Sequence, residues 1–163
     1  MNTFLPYSDY KESAQVLDYR RLGKQRVEAY QILKVNSLGP ITVKNGIEIK
    51  TPWYNHPAVM MWRGHEWALF DYTCAICLEW KRRGFFDSVY DKLDDLMDNF
   101  PLCSNLKLIT GTQVNYPPWI GDEKFHSSHR ASLLFKNPNW YGQFGWTEKP
   151  EINYIWPVRL KKN

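Results

Sequence analysis

Residues 20 to 28 read Arg-Arg-Leu-Gly-Lys-Gln-Arg-Val-Glu, so four cations and one carboxylate fall within nine positions around a glycine. The residues that follow, to Leu33, carry a helical pattern. A glycine inside a helix costs about 1 kcal/mol relative to alanine. It is best understood where something must approach the backbone closely, or where the helix breaks. Arg and Lys beside such a point suit a phosphate-bearing partner, because a guanidinium offers a planar fork of donors to anionic oxygens. The plainer alternative is a solvated basic helix face, the commoner fate of a charge run. Arg20, Arg21, Lys24 and Arg26 are therefore candidate ligand contacts.

The histidines come next. His126 and His129 are three apart and share a face if their segment is helical. A metal site would need further ligands that the sequence does not identify, so none is expected. The His129-Arg130 step beside a helix start suits an anion, with a solvated helix turn as the alternative. His56 precedes Pro57 and either caps a helix or lines a site. His65 and Glu66 read as a mid-helix polar pair. The chain has eight Trp and ten Tyr, mostly core by expectation, since large rings stabilise a core and also stack on bases. Trp53, Tyr54, Trp62 and Trp119 lie near loops or helix starts and are candidates to line a pocket.

Other chemistries lack their motifs. No nucleophile elbow, Walker loop, dinucleotide fingerprint or H-E-x-x-H occurs, and no cofactor is expected. Cys74 and Cys77 form a C-x-x-C pair inside an apolar helical run, with no second pair to complete a zinc site. They read as core residues. With Cys103 the count is three, which fits a reducing cytoplasm rather than a disulfide scaffold. No apolar h-region or membrane-length run is present, so no membrane partner is expected. A net charge of +4 permits a nucleic-acid or nucleotide partner without demanding one.

These residues must be positioned by the elements around them, and 163 residues suit one domain with a real core. An extended arm over residues 1–7 precedes a helix that starts near Tyr10, where Asp9 and Glu12 have capping-box spacing. That helix reads on to about Val35, with a break at Gly23. Asn45-Gly46 between two short β-branched runs predicts a hairpin over 41–50, peripheral to the helices. The longest helix is expected from Pro57 to Arg83, with Gly84 as its stop and residues 81–83 placed to favour its dipole. Asp87 or Ser88 should cap a helix through Asp98 with an acidic face. Residues 101–119 read as irregular with a short strand near 106–109. A final helix over 122–135 leads into an aromatic, proline-punctuated tail. The fold class is thus mainly α, a compact single domain over 1–163.

Several stretches together resemble a known family. Met1 to Tyr7, Leu17-Asp-Tyr-Arg-Arg-Leu-Gly-Lys-Gln-Arg26, and Asn55-His-Pro-Ala-Val-Met-Met-Trp62 are similar to the pyrimidine-dimer DNA glycosylases of endonuclease V type, in particular a bacterial and phage branch. Residues 78–85, 129–134 and 136–141 extend the likeness, and the hairpin stands outside it. The resemblance implies a compact helical fold and DNA repair by base excision followed by cleavage at the abasic site. In that family the α-amine after the initiator Met attacks the sugar C1′, and a glutamate in the first long helix supports the chemistry. An α-amine ordinarily titrates near ~8, so a useful fraction is neutral at pH 7. This chain departs twice. Arg21 aligns where the glutamate should stand, and Asn2 is large enough to oppose removal of Met1.

Two readings follow. In the first, the protein is a DNA glycosylase with abasic-site lyase activity, acting through the amine of residue 1 or Asn2, or through Lys24, with Glu28 as acid-base partner. In the second, it is a non-catalytic binder of a nucleotide or other phosphate-bearing ligand. Arg20, Arg21, Lys24, Arg26, His56, Trp62, His129 and Arg130 are the expected binding residues in either case. The expected cleft holds Arg21, Lys24 and His129, with His56 at its edge.

Overall fold

The chain enters the fold as an extended arm, residues 1–7, threaded between helices. This computed structural model describes residues 1–98 and 116–158. The expected strand near 106–109, and Cys103, lie outside the described residues. Among the described residues there are seven α-helices and one two-stranded antiparallel hairpin, so the protein is mainly α.

Helix α1 (Tyr10–Val16) begins where the Asp9 carboxylate accepts the Glu12 amide at 2.7 Å. It ends at Leu17, whose backbone is extended, and Asp18 then caps α2 (Tyr19–Leu38) by accepting the Arg20 and Arg21 amides. The interruption therefore lies at Leu17–Asp18, and α2 passes unbroken through Gly23. An extended Asp that satisfies two free amides starts a helix more decisively than one internal glycine stops it. The role of Gly23 is close approach: a Cβ there would lie 2.9 Å from Cζ3 of Trp80.

The hairpin has the expected form. Strands β1 (Ile41–Lys44) and β2 (Ile47–Lys50) pair only with each other and are largely exposed. Asn45 and Gly46 at its turn have φ of 53° and 77°, as the tight turn requires.

The single helix expected from Pro57 to Arg83 is instead two, α3 (Pro57–Met60) and α4 (Glu66–Arg82). The chain turns between them with Gly64 at φ 82°, and the Glu66 carboxylate accepts the Gly64 amide at 2.9 Å. His65 and Glu66 thus stand at a helix start, not mid-helix. At the other end of α4, Arg82 and Arg83 both bind Glu79. Arg83 also donates to Gln15 O at 2.8 Å and Leu17 O at 2.7 Å. It therefore satisfies the free carbonyls at the end of α1 as well as favouring its own helix.

Asp87 does not cap a helix. It is buried, pairs with Arg26 and accepts the Val89 amide, and α5 (Asp91–Asp98) starts later than expected. Helices α6 (Glu123–Lys136, capped by Asp122) and α7 (Pro138–Tyr141) complete the set. The core packs α2 and α1 on α4, and its largest fully buried side chains are Trp62, Tyr72, Tyr141 and Phe125.

The arm is held by side chains. Buried backbone groups must find partners, and an isolated extended segment has no ladder to supply them. Gln25 on α2 donates to Asn2 O at 3.1 Å and accepts the Phe4 amide at 2.7 Å. Tyr72 reaches Phe4 O at 3.0 Å, and Trp62 donates to the Thr3 hydroxyl at 2.9 Å. From α6, His129 Nδ1 accepts the Leu5 amide at 3.2 Å and Arg130 donates to Pro6 O at 2.8 Å. His126 Nδ1 lies 2.8 Å from Leu5 O, which only accepts, so that nitrogen carries the proton. Its Nε2 is then free to accept the Gly121 amide at 3.0 Å.

Candidate active site

The start of the arm ends on Glu28. The Asn2 backbone nitrogen is 3.3 Å from Glu28 Oε2, and the Met1 α-amine is 3.7 Å from Oε1. Lys24, one turn earlier on α2, places Nζ 3.4 Å from Oε1. Gln25 Nε2 donates to Oε2 at 3.1 Å and so orients the carboxylate. This centre opens into a cleft of about 900 Å³. Arg20, Arg21 and Lys24 line one wall, Lys136 and Trp140 another, and Phe4 and Tyr154 lie with them.

Arg21 is pre-set in that wall. Its guanidinium donates to Asp18 Oδ2 at 2.6 Å and to Lys136 O at 3.2 Å. Burial pushes the Asp18 carboxyl up, but hydrogen bonds from Arg21 and Tyr141 outweigh it and hold the group below its usual range. Burial, and then the charges of Arg21 and Lys24, hold Lys136 below the ordinary lysine range, with Glu28 opposing. Cations gathered around Lys136 in this way favour an anion placed among them.

Arg20, Arg21, Lys24, Glu28 and Asn2 therefore come together. Other expected residues do not join them. His129 is almost fully buried behind Phe4, where it holds the arm, so the expectation that it shares the cleft with Arg21 is corrected. Its burial, and then nearby His126, push the imidazole down to about 3. Arg130 is engaged by Glu123, Glu148 and Pro6 O. Trp62 is fully buried on the Thr3 hydroxyl. Arg26 pairs with buried Asp87, with its guanidinium 4.4 Å from the Trp80 ring. In sequence, a buried polar side chain that serves distant backbone looks the same as one that serves a ligand, so the expectation that these four contact a ligand is corrected.

His56 caps α3 by accepting the Ala58 amide at 3.1 Å. Burial lowers its imidazole, the α-amine of the chain lowers it further, and Glu28 opposes. It stands near the amine and carboxylate but lines neither of the two main clefts. Among the described residues no group of three or more His, Cys, Asp or Glu is placed to hold a metal. No helix of the described residues is long and apolar enough to cross a membrane.

The site also holds residues that sequence reasoning passed over. Gln25 ties the arm to Glu28, and Lys136 and Trp140 come from the far end of the chain. Lys136 and Trp140 fall in one of the stretches that carry the family likeness. Gln25 likewise falls in such a stretch, inside the basic run.

The fold thus pins an extended N-terminal arm over a carboxylate, beside a basic cleft on a helical frame. The model of the pyrimidine dimer DNA glycosylase family matches residues 1–93, and the chain belongs to that family. The matched region contains the arm, α1, α2, the hairpin, α3 and α4. Neither the curated proteins nor the solved structures contain a match to this chain.

Proposed function

We propose that the protein is a base-excision glycosylase with abasic-site lyase activity, working through a Schiff base. The observation that carries this reading is the gathering of amines on Glu28. The Met1 amine is 3.7 Å from the carboxylate and the Asn2 nitrogen 3.3 Å. A carboxylate therefore faces the chain's α-amine whether residue 1 or residue 2 bears it. The family likeness puts Arg21 where the glutamate is expected, yet a carboxylate still faces the amine, supplied from two turns further along α2.

The chemistry follows from this placement. The neutral amine attacks C1′ of the deoxyribose, and the bond from C1′ to the base breaks with its electron pair leaving on the base. Glu28 accepts the proton released from the attacking nitrogen. Glu28 returns that proton to O4′ as the C1′–O4′ bond breaks and opens the sugar ring, which leaves the C1′=N iminium. The iminium acidifies C2′–H, and loss of that proton to solvent expels the 3′ phosphate from C3′. Arg20, Arg21 and Lys136 supply charge for the strand's phosphates. Lys24 is the competing nucleophile, with a largely exposed Nζ 3.4 Å from the same carboxylate.

Borohydride reduction with an abasic oligonucleotide tests the reading. A covalent adduct mapped to residue 1 or 2 supports it, and one mapped to Lys24 moves the nucleophile. No adduct with any lesion-bearing or abasic DNA, together with retained binding, leaves the protein a ligand binder on the same fold.

A further inference from the structure

A second cleft, of about 430 Å³, adjoins the first, and both are lined by Met1 and Glu28. Its wall carries Lys34, Val35 and Leu38 from the second half of α2, and Trp53 from the turn that leaves the hairpin. Trp53 is 62% exposed. Its backbone is at φ 65°, a left-handed conformation uncommon for a bulky residue. The cause is local. Tyr54 N donates to Thr51 O at 3.3 Å, so residues 51–54 form a turn with Pro52 second and Trp53 third. That third position, when φ is positive, ordinarily takes Gly or Asn. Here a large ring is held out to solvent at a strained position, beside the reaction centre. Such strain at a cleft is a reason to look for a role.

The first cleft repeats the chemistry. Tyr19 is 55% exposed and Trp140 38% exposed, beside Arg20 and Lys136. Exposed rings alternating with cations along a groove are how proteins hold unstacked single strands, since every base has a face to stack and every phosphate a charge. We propose that the two clefts form one track for an unstacked single DNA strand running past Glu28, with Trp53 as the stacking platform of the second cleft. This rests on the glycosylase reading for its substrate and adds the state of the strand. Trp53 is thus a binding residue outside the reacting centre.

The test is anisotropy of a labelled single-stranded oligonucleotide and of its duplex, with trapping measured separately. The parent should bind the single strand at least as tightly as the duplex. Trp53→Ala should weaken single-strand binding by about tenfold or more, within the range of one stacked base, and Trp53→Phe should keep most of it. Trp53→Gly relieves the positive φ, so its melting temperature should not fall while its single-strand affinity does. Unchanged single-strand affinity in the Ala and Gly variants, or clear duplex preference in the parent, overturns the proposal. Binding is read without amine chemistry, so loss of trapping alone would end the lyase reading and leave this one standing.

Discussion

The Asn2 backbone nitrogen and the Glu28 carboxylate lie 3.3 Å apart although 26 residues separate them. The contact is built by Gln25, which holds Asn2 O with the same Nε2 that touches Glu28. One amide thus fixes both the start of the arm and the carboxylate beside it. The arm's burial between α2, α4 and α6 keeps this geometry from drifting, which is what a positioned nucleophile needs.

Glu28→Gln should therefore separate chemistry from folding. The variant keeps an oxygen for the Asn2 amide and a similar shape, but cannot take a proton. Single-turnover trapping should slow by about 10²-fold or more, the usual scale for a general base. Stability should fall by about 1–3 kcal/mol with the domain still folded, because the pair with Lys24 is exposed but the pair with the Met1 amine is nearly buried. Trapping at the parent rate would remove Glu28 from the mechanism.

Arg21→Ala removes a cation that Asp18 and Lys136 O hold in the cleft wall. DNA affinity should fall by at least about 1 kcal/mol, near the lower range for a charge-assisted bond. The slope of log affinity against log salt should also flatten by about one unit if a phosphate contact is lost. Titration at several salt concentrations measures both. An affinity and slope equal to the parent's would return the basic run to a solvated helix face.

The sequence showed the basic run, the hairpin, the cap at Asp9 and the final helix near 122–135, because each depends on neighbours in the chain. The family likeness pointed to an amine at the chain start. What sequence could not show depends on distant neighbours. His129, Arg130 and Trp62 read as site residues, but an extended arm without a ladder consumes their hydrogen bonds. The sequence leaves Gly23 as either a helix break or a point of close approach, and the fold makes it the latter, for Trp80, a neighbour far along the chain. Gly64 was passed over inside an apolar helical pattern, although its positive φ divides α3 from α4. Arg21 stands where the family likeness puts the glutamate, and Glu28, the acid-base partner expected from the sequence, is the carboxylate that the fold sets beside the chain start.

Gly23→Ala sets two effects against each other. Helix propensity alone would stabilise by about 1 kcal/mol. The new methyl would meet Trp80 at 2.9 Å, and overpacking costs about 1–3 kcal/mol. Trp80 has little freedom to yield, since it stacks on Phe85 at 4.1 Å, donates to Phe86 O at 2.8 Å and lies under Arg26. Net destabilisation is expected in denaturant melts, and Trp80→Leu should relieve much of it in the double variant. A stabilised Gly23→Ala would mean that the two helices separate easily.

Acid should loosen the arm before it titrates the carboxylates. His129 is held near a pKa of about 3 in the fold, against about 6.5 for an unfolded histidine. Between these values the unfolded chain binds the extra proton, so stability falls as pH falls below about 6.5 and is fully present above it. The slope for one such group approaches about 1.4 kcal/mol per pH unit. His56, also lowered by burial, adds in the same direction. The lowered carboxylates Asp18, Glu79 and Asp87 act further down, as pH drops below the usual carboxylate range. Urea melts from pH 7.5 to 4.5 should show the slope in the parent. His129→Gln offers the Leu5 amide an oxygen without a titrating ring, so it should reduce the slope by close to one proton. An equal slope in parent and variant would place the acid sensitivity elsewhere and leave His129 as a packing residue alone.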